Sequence, residues 1–225
     1  MKSAVKAYEE IVRICVASMS RIKAHLRQQG IVVEGKRVFG GGRSEVLLTI
    51  PHPISREILV QDFRIFDQLQ KERARARCLM ISLSQKFPIT NAFTEVPGVG
   101  PIGAARFVAY VQTPHRFSSK RRLWRYCRLG VVDRESSGKP LSRKHLDRAG
   151  NGALKDLSRK AFEASVRRRD NNLFKRSYLK SLERSGNPTH ARLATQRKIL
   201  AVMLAMWKDG TRYEDRVAKE GLTAA

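Results

Sequence analysis

The apolar residues of the first 26 positions confine the N-terminal part of this chain to helix. Val5, Tyr8, Val12, Cys15, Met19, Ile22 and Leu26 recur at alternating spacings of three and four. A strand has a side-chain period of two and cannot gather such a set on one face. An α-helix places them along a single seam. Gly30 ends this helix. A second helix is predicted from about Ser55 to Phe87, with Ile58, Ile65, Leu69, Ala76, Met80, Leu83 and Phe87 as its apolar face, and Pro88 stops it. Residues 30–54 form a connector rich in Gly, Pro and Arg, with one strand-like run at Val46–Ile50. Two helices joined by one connector predict an antiparallel hairpin. So narrow a seam also suits a coiled coil with a second copy of the chain, so packing within the chain and homo-oligomerisation both stay open.

From Pro88 to about Asp215 the pattern predicts a compact helical domain. Segments 102–111, 118–127, 151–168, 171–184 and 189–208 are helical, and Gly186-Asn187-Pro188 and Gly210 are stops. The last of these helices is nearly all core: Ile199, Leu200, Val202, Met203, Leu204, Met206 and Trp207 leave little polar face. The expected fold is therefore mainly α. A helical hairpin or coiled coil occupies residues 1–88, a compact helical domain residues 89–216, and a tail residues 217–225.

Charge narrows the partners. Across 225 residues, 45 Lys and Arg face 20 Asp and Glu, a formal net charge of +25. Such an excess points to a phosphate polymer. No apolar run approaches the roughly 20 residues that span a bilayer, and the first ten residues lack the apolar core of a signal peptide. The expected setting is cytoplasmic, without a membrane partner. Cys15, Cys78 and Cys127 lie far apart and read as reduced thiols packed in the interior, not as a zinc site.

The positive charge is concentrated. Residues 116–184 hold 21 Lys or Arg against 7 Asp or Glu. Lys120, Arg121, Arg122, Arg125 and Arg128 form one cluster, interleaved with Trp124 and Tyr126, whose rings are expected to fill core. Arg143, Lys144 and Arg148 form a second, and Arg167–Arg169 with Lys175 and Arg176 a third. Just upstream, Val96–Ala105 (VPGVGPIGAA) reads as a helix-hairpin-helix turn. Gly98 and Gly100 are expected to take φ > 0 and to let the backbone approach a phosphate, with a helix N-terminus behind them. The same residues also suit a tight turn between two packed helices with no ligand.

Chemistry is less legible. Metal-dependent hydrolysis needs carboxylates converging on Mg²⁺. Glu9, Glu10, Asp62, Asp67, Asp133 and Glu135 show no such pattern and read as solvated charges. A hydroxyl nucleophile is the other route. Ser136 and Ser137 precede Gly138, with Arg134, Lys139 and Arg143 nearby, and flanking cations would activate a serine and stabilise a pentavalent phosphate. Without such a role the loop is an ordinary polar turn.

Seven blocks in order resemble one family. They are Val96–Ala105; Arg116–Tyr126 (RFSSKRRLWRY); Leu129-Gly130 leading to Ser137-Gly138; Arg148–Leu154 (RAGNGAL); Gly186–Pro188; Arg197–Leu200; and Trp207–Tyr213 (WKDGTRY). Together they resemble the C-terminal domain of the DEDD-type insertion-sequence transposases, the insertion-sequence one-ten, one-sixteen and nine-oh-two family that includes the Piv-type recombinases. Arg21–Leu26 with Gly30 resembles the start of that family's coiled-coil part. The resemblance implies a bacterial, nucleoid-associated DNA transposase or site-specific recombinase, whose partners are DNA, a guide RNA and further copies of itself. It makes Ser137 the nucleophile, with Ser136 the fallback. The glycine turn and the charge clusters are expected to set Gly98, Gly100, Lys120, Arg121, Arg122, Arg125, Arg134, Arg143, Lys144 and Arg148 against DNA. The family's N-terminal RuvC-like half, whose four acidic residues bind Mg²⁺, has no counterpart in the sequence. The expectation is a truncated transposase with an incomplete active site and no cofactor or metal of its own; Mg²⁺ would enter only with a RuvC-like half. The alternative is a non-catalytic nucleic-acid-binding fragment that regulates a full-length transposase.

Overall fold

The structure, a computed structural model, describes residues 1–32, 35–132, 135–136, 139–140 and 145–214, with backbone alone at 36, 37, 135, 136, 139 and 140. The elements are α1 (Lys2–Gln28), α2 (Gly35–Val38), α3 (Arg43–Leu48), α4 (Pro53–Gln85), α5 (Pro88–Thr94) and α6 (Pro101–Val111). A 3-10 turn (Pro114–Arg116), α7 (Lys120–Tyr126) and four two-residue strands follow: β1 (Val131–Val132), β2 (Glu135–Ser136), β3 (Lys139–Pro140) and β4 (His145–Leu146). The chain closes with α8 (Gly152–Arg167), α9 (Leu173–Ser185) and α10 (Pro188–Asp209). The fold is mainly α. It divides into two compact units, Ser3–Met80 and Ile81–Ala225, the second taking in Met1–Lys2.

In the first unit α1 and α4 run antiparallel. The Cys15 thiol lies 3.6 Å from the Leu69 carbonyl oxygen, and Asp62 of α4 meets Arg21 and His25 of α1. The seam thus packs within the chain: Val5, Tyr8, Cys15, Ile22 and Leu26 are buried, with Val12 and Met19 half-buried. Ile22 and Leu26 join Val38, Val46, Ile50, Leu59, Phe63 and Phe66 in one core.

Four expectations are corrected here. Val46–Ile50 falls mostly within helix α3, because Val46 and Ile50, four apart, are both buried while Leu48 points to solvent. That is a helical spacing, which so short an apolar run does not distinguish from a strand. The apolar face of α4 is shifted in its first half: Leu59, Phe63 and Phe66 are buried and Ile58 and Ile65 exposed, whereas Met80 is buried as expected; Phe87, also exposed, lies beyond the helix. Asp62 is not a solvated charge, and Asp67, half-exposed, is paired. Asp62 is buried, 2.7 Å from His25 Nδ1 and 3.3 Å from Arg21 Nε. Asp67 accepts two hydrogen bonds from Arg43, at 2.7 and 2.9 Å, and these hold its carboxyl below the usual aspartate range. Of the cysteines, Cys15 and Cys127 are buried, but Cys78 is exposed on α4.

The second unit is built around α10. Ile199, Leu200, Val202, Met203, Leu204 and Met206 are buried, and α7, α8 and α9 pack on this helix. Trp207 closes an aromatic cluster with Phe93 of α5 and Phe107 of α6, with ring centroids 5.1–6.1 Å apart. Asparagines start the three C-terminal helices. The side-chain oxygens of Asn151, Asn172 and Asn187 accept hydrogen bonds from first-turn amides of α8, α9 and α10. Gly186 and Gly210 end α9 and α10 in the left-handed region, at φ 62° and 64°. No helix among the described residues is long and apolar enough to cross a membrane.

Candidate nucleic-acid interface

The glycine turn between α5 and α6 is the first element to place. Gly98 adopts φ +85° as expected, but the close approach it permits is to protein. A Cβ there would lie 2.1 Å from the carbonyl oxygen of Ala161, in α8. Gly98 thus seats the turn on α8. Gly100 does not take the expected positive φ. It caps α6 in an extended conformation, φ −87° and ψ 177°, with open space where a Cβ would stand. Its freedom from a side chain serves neither turn geometry nor packing.

Downstream, Ser119 caps α7 by accepting a hydrogen bond from the Arg122 amide. Lys120, Arg121, Arg122 and Arg125 then stand exposed on one short helix. The aromatics among them are held by the fold: Trp124 Nε1 donates to the Arg197 carbonyl at 2.9 Å, and the Tyr126 ring packs on Phe117 at 5.3 Å. Arg125 also reaches Asp147 at 3.1 Å. The Asp147 carboxyl is held below its usual range, first by the Ala149 amide and then by Arg125.

The end of α7 presents Arg128. The Leu129 amide bonds back to the Trp124 carbonyl and the Arg128 amide to the Arg125 carbonyl, a Schellman closure. The residue at its left-handed position is usually glycine; here it is Arg128, at φ 57°. The Arg128 Nε donates to the Gly150 carbonyl at 2.9 Å.

Between α7 and α8 the described residues form two short strand pairs where the sequence pattern predicts a loop. β1 pairs with β4 antiparallel, Val131 opposite Leu146. Separately, β2 pairs with β3 antiparallel, Ser136 opposite Lys139. Ser136 therefore belongs to β2. Ser137, Arg134, Arg143 and Lys144 lie outside the described residues.

Beside β4 the surface is concave. One cleft, of about 380 Å³, is lined by Arg128, Lys155, Arg159 and Arg192, with Leu146 and Asp156 among its other residues. A second, of about 460 Å³, adds His145, Asp147 and Arg148 and shares Arg128, Leu146 and Lys155 with the first. Asp156 is already committed. It pairs with Arg159 at 2.8 Å, Lys160 at 2.7 Å and Arg106 at 3.4 Å. Burial raises its pKa, but the hydrogen bonds from Lys160 and Arg159 more than offset this and leave it below the usual range. Among the described residues the side chains of Lys155 and Arg192 have no ion-pair or hydrogen-bond partner. Of the residues predicted to bind DNA, the clefts recruit Arg148; Lys120, Arg121 and Arg122 stand on the exposed face of α7 instead. The sequence does not single out Lys155, Arg159 and Arg192. The four-residue spacing of Lys155 and Arg159 on one helix face is the available signal, but nothing in the sequence brings Arg192 of α10 to it.

Among the described residues no group of three or more His, Cys, Asp or Glu gathers where it could hold a metal ion. The described side chains therefore do not fit the four-carboxylate Mg²⁺ site that the resemblance associates with a RuvC-like half.

Comparison with known proteins bears on the same region. Residues 90–179 match the family described as "Transposase IS116/IS110/IS902 family". That span takes in the glycine turn, α7, the strand pairs and α8. The chain is also 29% identical over 153 residues to "Insertion element IS110 uncharacterized 43.6 kDa protein" of Streptomyces coelicolor, covering 66% of this chain and 36% of that relative. The chain thus spans little more than a third of the length of the curated relative it matches. The ordered blocks and the family match fall on the same stretch: residues 90–179 are similar to the transposase domain of the IS116/IS110/IS902 family.

Proposed function

We propose that this chain is a DNA-binding component of insertion-sequence transposition, in which the unit from Ile81 onward holds DNA and the β2–β3 ribbon carries the nucleophile. The observation behind this reading is that the family match covers the part of the chain where exposed cations and the concave basic surface lie together. In the reading, Lys120, Arg121, Arg122, Arg125 and Arg148 neutralise backbone phosphates. Ser137, or Ser136 in its place, attacks a phosphodiester: the serine oxygen bonds to phosphorus, its proton passes to a base, and the displaced strand leaves through its own oxygen. Nearby cations stabilise the charge that builds on the pentavalent phosphorus. No step is assigned to a metal within this chain. The second reading is a binding fragment that regulates a complete transposase, for which the exposed cations of α7 suffice.

Both readings require electrostatic binding. Affinity for a labelled duplex should fall steeply with salt, by roughly 0.9 log unit per log unit of salt for each phosphate neutralised. Charge reversal at Lys120, Arg121 and Arg122 should flatten that slope, whereas Ser137→Ala should leave it unchanged. A flat salt dependence in the unaltered protein would reject both. The readings part on a covalent protein–DNA adduct, sought with an element-end junction, Mg²⁺ and a complete relative supplied. An adduct that disappears in Ser137→Ala supports the nucleophile, and its absence leaves the regulator.

A further inference from the structure

The basic surface of the second unit comes in two shapes. Lys120, Arg121 and Arg122 stand outward on the exposed face of α7. Arg128, Lys155, Arg159 and Arg192 instead line a cleft of about 380 Å³, to which α8, α10 and the end of α7 each contribute. We propose that this cleft, with the adjoining one that adds Arg148, is a seat for the phosphodiester backbone of a single polynucleotide strand beside the β1–β4 pair. The inference rests on the reading of the chain as a DNA-handling protein and assigns a substrate class to one part of its surface.

Four observations carry it. First, concave walls that turn cations inward from three elements suit one strand, while a duplex presents a convex cylinder that an outward row such as Lys120–Arg122 can meet. Second, among the described residues Lys155 and Arg192 have no side-chain partner. The N-termini of α8 and α10 border the cleft but are capped by Asn151 and Asn187, so the attraction comes from the side chains. Third, the cleft offers Leu146 and Leu193 as its apolar residues and no aromatic ring. Stacking platforms for bases are made of aromatics, so this seat grips backbone and is indifferent to sequence. Fourth, Arg128 holds a left-handed backbone conformation that glycine would adopt without strain. In that conformation its side chain lines both clefts. Leu146 belongs to β4, which pairs with β1, so the cleft adjoins the strand pair from which the Ser136 segment departs in sequence.

The test uses the full chain with an oligonucleotide as single-stranded DNA, as single-stranded RNA and as a blunt duplex, with affinity read by fluorescence anisotropy at several salt concentrations. Lys155→Gln with Arg192→Gln should weaken binding to single strands roughly tenfold and flatten their salt slope by about 1.4, the value for two phosphates no longer neutralised, with duplex affinity changed less than about twofold. The DNA and RNA arms show which strand is preferred. As a readout that needs no variant, acetylation of Lys155 in the unaltered protein should be blocked by the single strand and not by the duplex, with Lys120 blocked by the duplex. Equal losses for strand and duplex, no loss for either, or Lys155 left reactive under saturating single strand would each overturn the proposal. If the unaltered protein binds no nucleic acid at all, the reading beneath it fails instead.

Discussion

Gly98 and Gly100 sit two residues apart in one turn and answer to different constraints. At Gly98 a methyl group would stand 2.1 Å from a backbone oxygen of α8, at a φ that other residues avoid. Gly98→Ala should therefore cost about 3 kcal/mol or more, because neither the turn nor α8 can yield. Gly100→Ala meets open space at an ordinary φ and should stay within about 0.5 kcal/mol. Chemical denaturation of the two variants checks the contrast, and equal stabilities would mean that the turn is not seated on α8 as described. The sequence showed that glycine was wanted here. It could not show that a backbone approached there was that of Ala161, over sixty residues onward. Arg128 was hidden for a related reason, since nothing in a sequence marks an arginine that occupies a glycine's conformation.

Helices were legible where punctuation bounded them. Pro88, Gly186-Asn187-Pro188 and Gly210 each stand at an element end within a residue or two of the expected place. The phase of α4 was not legible. Ile58 and Ile65 suggested an inward face, yet Asp62 is the buried residue, set beside Arg21 and His25 of α1. The strand pairs were illegible too, since two-residue strands carry no alternation to read. Within α8, Asp156 gathers Arg159, Lys160 and Arg106. Its folded pKa lies below the ordinary 3.8, so its contribution is present above about pH 4 and is lost as pH falls through the folded value. Asp156→Asn should lower stability by about 1 kcal/mol at neutral pH, a figure kept small by solvent screening. Thermal melts should show the same deficit at pH 7 and pH 5 and a shrinking one below pH 4. A deficit that persists at low pH would trace it to packing rather than charge.

Each of the two units has its own apolar core, one around Leu59, Phe63 and Phe66 and the other around α10. Phe63→Ala removes a buried ring and the face on which the Arg43 guanidinium sits, 4.4 Å from the centroid. The loss should be about 3–5 kcal/mol, borne by the Ser3–Met80 unit. Hydrogen exchange should then show amides of α1 and α3 losing protection while those of α8 and α10 keep theirs; uniform loss would mean that the two cores unfold as one. Mainly helical architecture was readable at this scale, because heptad spacing and helix stops are local. The cationic clefts were not, because they join Arg128, Lys155 and Arg192 from three separate helical segments.

Arg128 leaves folding and ligand capture at odds over a single codon. Glycine or asparagine there would relax the backbone, and variants carrying them would rise in any selection for thermal tolerance alone. If the clefts do seat a strand, the same variants would fall behind once selection required transposition, so the residue that persists reports which pressure the chain is under.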